Sequence, residues 1–156
     1  MTNTGYQLFD QGFTLDVTND SGTTAISAGD IVYATANTDK FGSTLASIGG
    51  TYSSSDVQVF RMAGAATGYT KVVGVAITDI AAAGKGTIAL EGVFLHQASE
   101  AIVAGDAVQG YEGTANKLSA ADASGATTAK TYVHKIGRSL TGASAANFIV
   151  LWKLTL

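Results

Sequence analysis

The clearest pattern of apolar and polar positions lies in residues 72–94, which read VVGVAITDIAAAGKGTIALEGVF. β-Branched apolar residues dominate 72–77, and such residues suit a pleated, half-buried surface. A Gly-Lys-Gly segment at 84–86 interrupts the pattern, because glycine reaches positive φ without steric cost. A second apolar segment begins at residue 87 and continues to residue 96. The stretch therefore predicts two paired strands joined by a connection wider than a two-residue hairpin.

Two segments of this pattern recur elsewhere in the chain. Residues 135–140 (KIGRSL) resemble residues 72–77 (VVGVAI) with the glycine in register. Residues 101–108 (AIVAGDAV) match residues 25–32 (AISAGDIV). The chain therefore reads as two unequal versions of one β unit. Two copies are too few for a solenoid, so we expect the units to pack together as one small barrel or sandwich.

The remaining strands follow from simpler patterns. Phe13, Leu15 and Val17 alternate with polar residues, which predicts a strand with one apolar face. Residues 148–152 (FIVLW) are continuously apolar, which is typical of a strand buried on both sides. Such a strand is either central to the barrel or lies against a partner subunit. The predicted fold class is all-β.

Two segments stand apart from the repeated units. Residues 37–70 contain the least patterned part of the chain and are interpreted as an insertion within a single domain spanning 1–156. The insertion is either a surface loop or added hairpin, or a ligand-binding loop. Residues 1–12 are polar with embedded aromatics, so they form either a frayed terminus or an arm that docks on a neighbouring subunit.

Composition excludes several classes of protein. The chain has no cysteine, so disulfides and thiolate metal sites are absent. The net charge is −3 and the basic residues are scattered, which disfavours nucleic-acid binding. No apolar run approaches the roughly 20 residues that a membrane span needs. Charged residues make up 13% of the chain, about half the usual share, which also suits a surface that packs against other protein.

Candidate chemical motifs fail on spacing or context. A phosphate-binding P-loop needs a glycine five residues before Gly84-Lys85, but Asp79 stands there, and a strand follows instead of a helix. Asp30 and Asp106 occupy the same place in the two repeats, so we interpret each as an acceptor for its own turn. His96 and His134 lack a neighbouring second ligand of the H-E-x-x-H kind, although Glu100 is four residues from His96, so we interpret both as structural or surface residues. We therefore predict no catalytic, cofactor or metal site, and no enzyme.

The order of these segments resembles a known family. A strand, an AGD turn, the GVAxTDxAAAG segment with ALEGVF, a second AGDxV and a closing IGxxL strand are similar to tailed-phage capsid decoration (cement) proteins. Such proteins are often labelled as RecA/RadA-like recombinases, but this chain lacks the P-loop that an ATP-driven recombinase needs. The resemblance implies a non-enzymatic homotrimer on the outer surface of the virion head, bound to the major capsid protein. It would stabilise the head by bridging capsid subunits.

Contact residues follow from that resemblance and from the apolar pattern. Tyr6, Leu8 and Phe9 are expected to contact the shell. Phe148, Leu151 and Trp152 are expected to form the interface between subunits.

Two rival functions remain open at this point. One is a carbohydrate- or host-surface-binding module that uses residues 37–70. The other is a hydrolase that uses one of the two histidines.

Overall fold

The computed structural model describes residues 7–9, 13–35, 57–62, 71–111, 113–121 and 135–155. These residues form eleven strands and no α-helix, so no described helix could cross a membrane. The strands are β1 (Gln7–Phe9), β2 (Thr14–Asn19), β3 (Ile31–Ala34), β4 (Gln58–Arg61), β5 (Val72–Ala76), β6 (Lys85–Ala89), β7 (Glu91–Ala98), β8 (Ala107–Gly110), β9 (Lys117–Ala120), β10 (Gly137–Ser139) and β11 (Ile149–Thr155). The predicted all-β class is confirmed.

The strands close into two five-stranded barrels. The first barrel has the strand order β2-β4-β3-β5-β6. The second has the order β7-β11-β10-β8-β9, closed by a pairing of β9 with β7. In each barrel one parallel pair closes the sheet, between β2 and β4 in the first and between β7 and β9 in the second. The other pairs are antiparallel, so the two barrels share one topology.

The predicted pair of related β units is therefore confirmed, but each unit closes into its own barrel, whereas we expected the two to form one barrel or sandwich. Closure leaves no open sheet edge within a unit, which is the usual way for small β domains to satisfy edge strands. Gly74 and Gly137 occupy equivalent places in the two barrels. At both, a Cβ atom would collide with the backbone carbonyl of the neighbouring strand, at Ala89 and Lys153 respectively. Only glycine permits this close approach.

The predicted hairpin at 72–94 is confirmed for its first half and corrected for its second. β5 and β6 pair antiparallel as expected. The apolar segment that was predicted to run unbroken to residue 96 is two strands, separated at Leu90. The chain leaves the first barrel there and enters the second, and Gly92 just beyond has φ of 147°. The sequence pattern does not reveal this break between β6 and β7, because the residues on both sides of it favour strands.

The buried apolar residues of the described part of the chain form two clusters. One lies inside the first barrel and includes Val17, Ile26 and Ile88. The other combines the interior of the second barrel, around Phe94 and Trp152, with residues on the outside of the first barrel. The two barrels are therefore joined by a shared hydrophobic core.

Polar contacts also cross this junction. Asn116, from the loop between β8 and β9, accepts a hydrogen bond from the Ile31 backbone N–H at 2.9 Å. Its amide N–H donates to the Asp30 carboxylate. Asn116 and Asp30 are both buried, so each needs the other as a partner.

Part of the segment predicted as an insertion belongs to the first barrel. β4 lies within residues 37–70 and pairs with both β2 and β3, as β9 does with β7 and β8 in the second barrel. We therefore restrict the proposed insertion to residues 37–56 and 63–70, which lie outside the described residues.

Candidate interaction surface

The aspartates of the two AGD turns hold their own turns. The Asp30 carboxylate accepts a hydrogen bond from the Ser27 N–H at 2.8 Å. The Asp106 carboxylate accepts one from the Val103 N–H at 2.9 Å. Each is thus engaged in its own turn, as predicted from the repeat.

His96 is a buried structural residue at the junction of the barrels. The Trp152 indole N–H donates to His96 Nδ1 at 2.9 Å, so Nδ1 carries no proton. His96 Nε2 then carries the proton and donates to the Gly29 carbonyl of the first barrel at 2.9 Å. Burial lowers the pKa of His96 to about 4, and the bond to Gly29 opposes that shift. Both ring nitrogens are occupied, so this imidazole has no free position for a metal or a substrate.

The other candidate chemical residues bring no further site. His134 lies outside the described residues. The described part of the chain contains no group of three or more metal-ligating side chains.

The structure corrects one residue of the predicted subunit interface. Trp152 is fully buried in the second barrel, where it packs near Phe94 and bonds to His96. Its place in β11 explains this, because side chains alternate between the two faces of a strand and Trp152 points inward. Phe148 is 55% exposed, and Leu151 is half-buried on the outward face. These two residues remain available for a contact.

Apolar side chains form a continuous strip on the outer face of the second barrel. Leu95 of β7 lies opposite Leu151 of β11. The Leu140 N–H donates to the Leu151 carbonyl at 2.7 Å, which places Leu140 on the other side of Leu151. Ile149, also on β11, is 52% exposed, and Leu140 is 47% exposed. We call Leu95, Leu140, Ile149 and Leu151 the apolar strip.

The first barrel provides an internal comparison for this strip. Because the two barrels share one topology, Asp16 and Thr87 occupy the places of Leu95 and Leu151. Lys85 occupies the place of Ile149. The Thr87 hydroxyl donates to the Asp16 carboxylate at 2.9 Å, as expected for a solvated surface. Ile77, whose N–H donates to the Thr87 carbonyl at 3.1 Å, occupies the place of Leu140. The fold therefore accepts polar residues at the places of Leu95, Ile149 and Leu151, so it does not itself require apolar side chains at these three positions.

The N-terminal segment is tied to the same barrel. β1, which contains Leu8 and Phe9, pairs with β7 through Gln7↔Phe94 and Phe9↔Val93. Residues 7–9 are therefore a strand of the sheet rather than a frayed end. Tyr6 lies outside the described residues.

A comparison with protein-family models matches the chain to a known family. The phage cement protein family matches residues 51–154, which is two thirds of the chain. This chain belongs to the phage cement protein family. The suspected resemblance is thereby confirmed, and it indicates a protein associated with the phage capsid. A search of curated proteins found no match.

Sequence reasoning missed most of the apolar strip of this cement protein. Leu95, Leu140 and Ile149 stand in three separate segments, and only strand pairing brings them together. A signal was nevertheless present in the repeat. Aligning the two units places Leu95, Ile149 and Leu151 against polar residues of the first unit. Such differences mark a surface whose surroundings differ between the two units.

Proposed function

We propose that this cement protein binds the outer surface of the assembled phage head and stabilises it by bridging neighbouring capsid subunits. The family match over residues 51–154 carries the proposal. The apolar strip supports it, because three of its four residues stand where the first barrel has polar residues, and exposed apolar patches mark contact sites.

The stabilising effect would be one of mass action. A protein that binds the assembled shell and not the free capsid subunits stabilises the shell by its binding free energy at each site. Contacts to two adjacent capsid subunits strengthen this effect, since the second contact forms at a high effective concentration. No chemical step is needed, which agrees with a non-enzymatic role.

The contacts are assigned to two regions. We infer that the segment around Tyr6, Leu8 and Phe9 contacts the shell. The apolar strip, together with Phe148, joins copies of this chain into a homotrimer. Leu151 lies within the strip, and Phe148 directly precedes Ile149.

The proposed self-association through the apolar strip can be tested with one substitution in the strip and an equivalent control substitution in the first barrel. Leu151→Lys places a charge in the apolar strip and is expected to convert the trimer to monomer, measured by light scattering after size-exclusion chromatography. Thr87→Lys makes the equivalent change on the first barrel, beside Asp16, and is expected to leave the oligomer unchanged. Equal behaviour of the two variants would contradict the assignment.

The decoration role is tested on particles. Quantitative mass spectrometry of purified virions should find this chain at a copy number comparable to that of the major capsid protein. A handful of copies per particle would point to a tail or receptor-binding component, and absence would refute the proposal.

Deleting residues 1–10 should abolish binding to heads while the circular dichroism spectrum stays that of a folded β protein. Unchanged binding would refute the assignment of the N-terminal segment.

A further inference from the structure

A second feature of the outer face of the second barrel is a cluster of cations. Arg138 of β10 lies directly opposite Lys153 of β11, and both are exposed. Lys135, exposed as well, lies two residues before the start of β10. These three residues, the basic cluster, are a third of the nine Lys and Arg residues of a chain whose net charge is −3.

The same positions are apolar in the first barrel. The repeat aligns Lys135, Arg138 and Lys153 with Val72, Val75 and Ala89. Val75 and Ala89 are fully buried, and all three belong to the cluster that packs against the second barrel. In the first unit this face is thus a docking surface, and in the second it is open and cationic.

The arrangement of these charges is unfavourable for the isolated protein. Like charges directly opposite each other on neighbouring strands are destabilising. A surface adapted only for solubility intersperses charges of both signs. The nearby carboxylate of Asp106 is engaged with its own turn, and the Arg138 guanidinium donates to the Gly105 carbonyl at 2.9 Å. No described acidic residue pairs with the basic cluster.

The basic cluster is continuous with the segment assigned to shell contact. Phe9 pairs with Val93, Val93 with Lys153, and Lys153 with Arg138, so one register line crosses four adjacent strands. Neighbouring strands lie about 4.8 Å apart, which puts β1 roughly 15 Å from β10. One binding partner can therefore cover both regions.

We propose that Lys135, Arg138 and Lys153 dock onto an acidic protein surface. This inference rests on the proposed function, under which that surface belongs to the assembled head. Three clustered cations beside an apolar strip fit a carboxylate-bearing protein patch, where complementary charge fixes orientation and accelerates association. A nucleic-acid backbone is disfavoured because its binders contact more phosphates, often six to ten, and spread their charge along a stripe.

Charge reversal separates binding from folding at this site. Lys153→Glu converts a like-charged cross-strand pair into an opposite-charged pair, so its melting temperature should equal or exceed that of the wild type. Arg138→Glu makes the same change of charge but loses the hydrogen bond to the Gly105 carbonyl, so its melting temperature should stay close to that of the wild type. Binding is measured by co-sedimentation with heads assembled without this protein. Each reversal should weaken binding about tenfold, and wild-type binding should weaken as salt is raised. Lys71→Glu, an equal charge change on the first barrel, should bind like the wild type.

Each other outcome has one meaning. If the wild type binds heads and both Arg138→Glu and Lys153→Glu bind with the same affinity, the proposed role of the basic cluster is refuted and the proposed function stays intact. Failure of the wild type to bind heads would overturn both. Binding of a DNA duplex that the reversals abolish, with head binding unchanged, would overturn the acidic-protein partner in favour of a polyanion.

Discussion

Lowering the pH from 7.5 to 5.0 is expected to destabilise this cement protein through one buried side chain, His96. Its neutral ring accepts a hydrogen bond from Trp152 at Nδ1 and donates one to Gly29 from Nε2. A proton added to Nδ1 would point at the Trp152 indole N–H, so two donors would oppose each other. The ring is also fully buried, where a charge is poorly solvated. The folded state therefore resists protonation of His96.

The size of the effect follows from the difference in pKa between the folded and unfolded states. Burial lowers the pKa of His96 from 6.5 to about 4. Between these values the unfolded chain binds one more proton than the folded chain, so the free energy of unfolding rises with pH. The stabilisation is fully present above pH 6.5 and is lost as the pH falls towards 4. It amounts to about 3 kcal/mol over the whole window, and to about 2 kcal/mol between pH 7.5 and 5.0.

Urea unfolding at the two pH values measures this loss. The wild type should lose about 2 kcal/mol more than His96→Gln, whose side chain does not titrate. All other ionisable groups are common to these two proteins, so their effects cancel in the comparison. A His134→Gln variant leaves one histidine for NMR, and its ring signals should titrate in the folded protein with a midpoint near 4.

The reasoning would be refuted by an equal pH dependence in His96→Gln and the wild type. If His96→Gln fails to fold, the NMR titration of His134→Gln decides the question, and a midpoint near the ordinary value of 6.5 would refute it.

Three further substitutions test local features of the fold by the free energy of unfolding in urea. Ala83→Gly should stabilise by about 0.5 kcal/mol, because Ala83 has φ of 54°, which glycine adopts without steric cost; a destabilised variant would contradict this. Gly137→Ala should destabilise by about 1–3 kcal/mol through collision with the neighbouring strand. Gly22→Ala, with nothing within 4 Å of its added Cβ, should be nearly neutral, and similar losses in both would count against the collision. Asn116→Ala should cost about 1–3 kcal/mol, because the Ile31 N–H and one oxygen of the Asp30 carboxylate lose their partner while the other oxygen keeps the Ser27 N–H. An unchanged stability would contradict this.

The sequence by itself determined the class of the fold and its internal duplication. Period-two alternation and β-branched residues are local properties, so β2, β5 and β11 could be predicted without knowing their neighbours. The repeated AGD turns predicted the roles of Asp30 and Asp106, because an aspartate that caps its own turn acts over three residues. The resemblance to cement proteins rested on the same local segments.

The tertiary structure decided how these segments meet. His96 and Trp152 are 56 positions apart, and only the register of β7 against β11 places their rings in contact. The same long-range register aligns Arg138 with Lys153 and Leu95 with Leu151. Strand propensity is set by each residue and its neighbours in the chain, whereas register is set by the pairing of distant strands and the closure of the barrel. For that reason the sequence predicted the strands, and only the fold showed which of their residues share an outer surface.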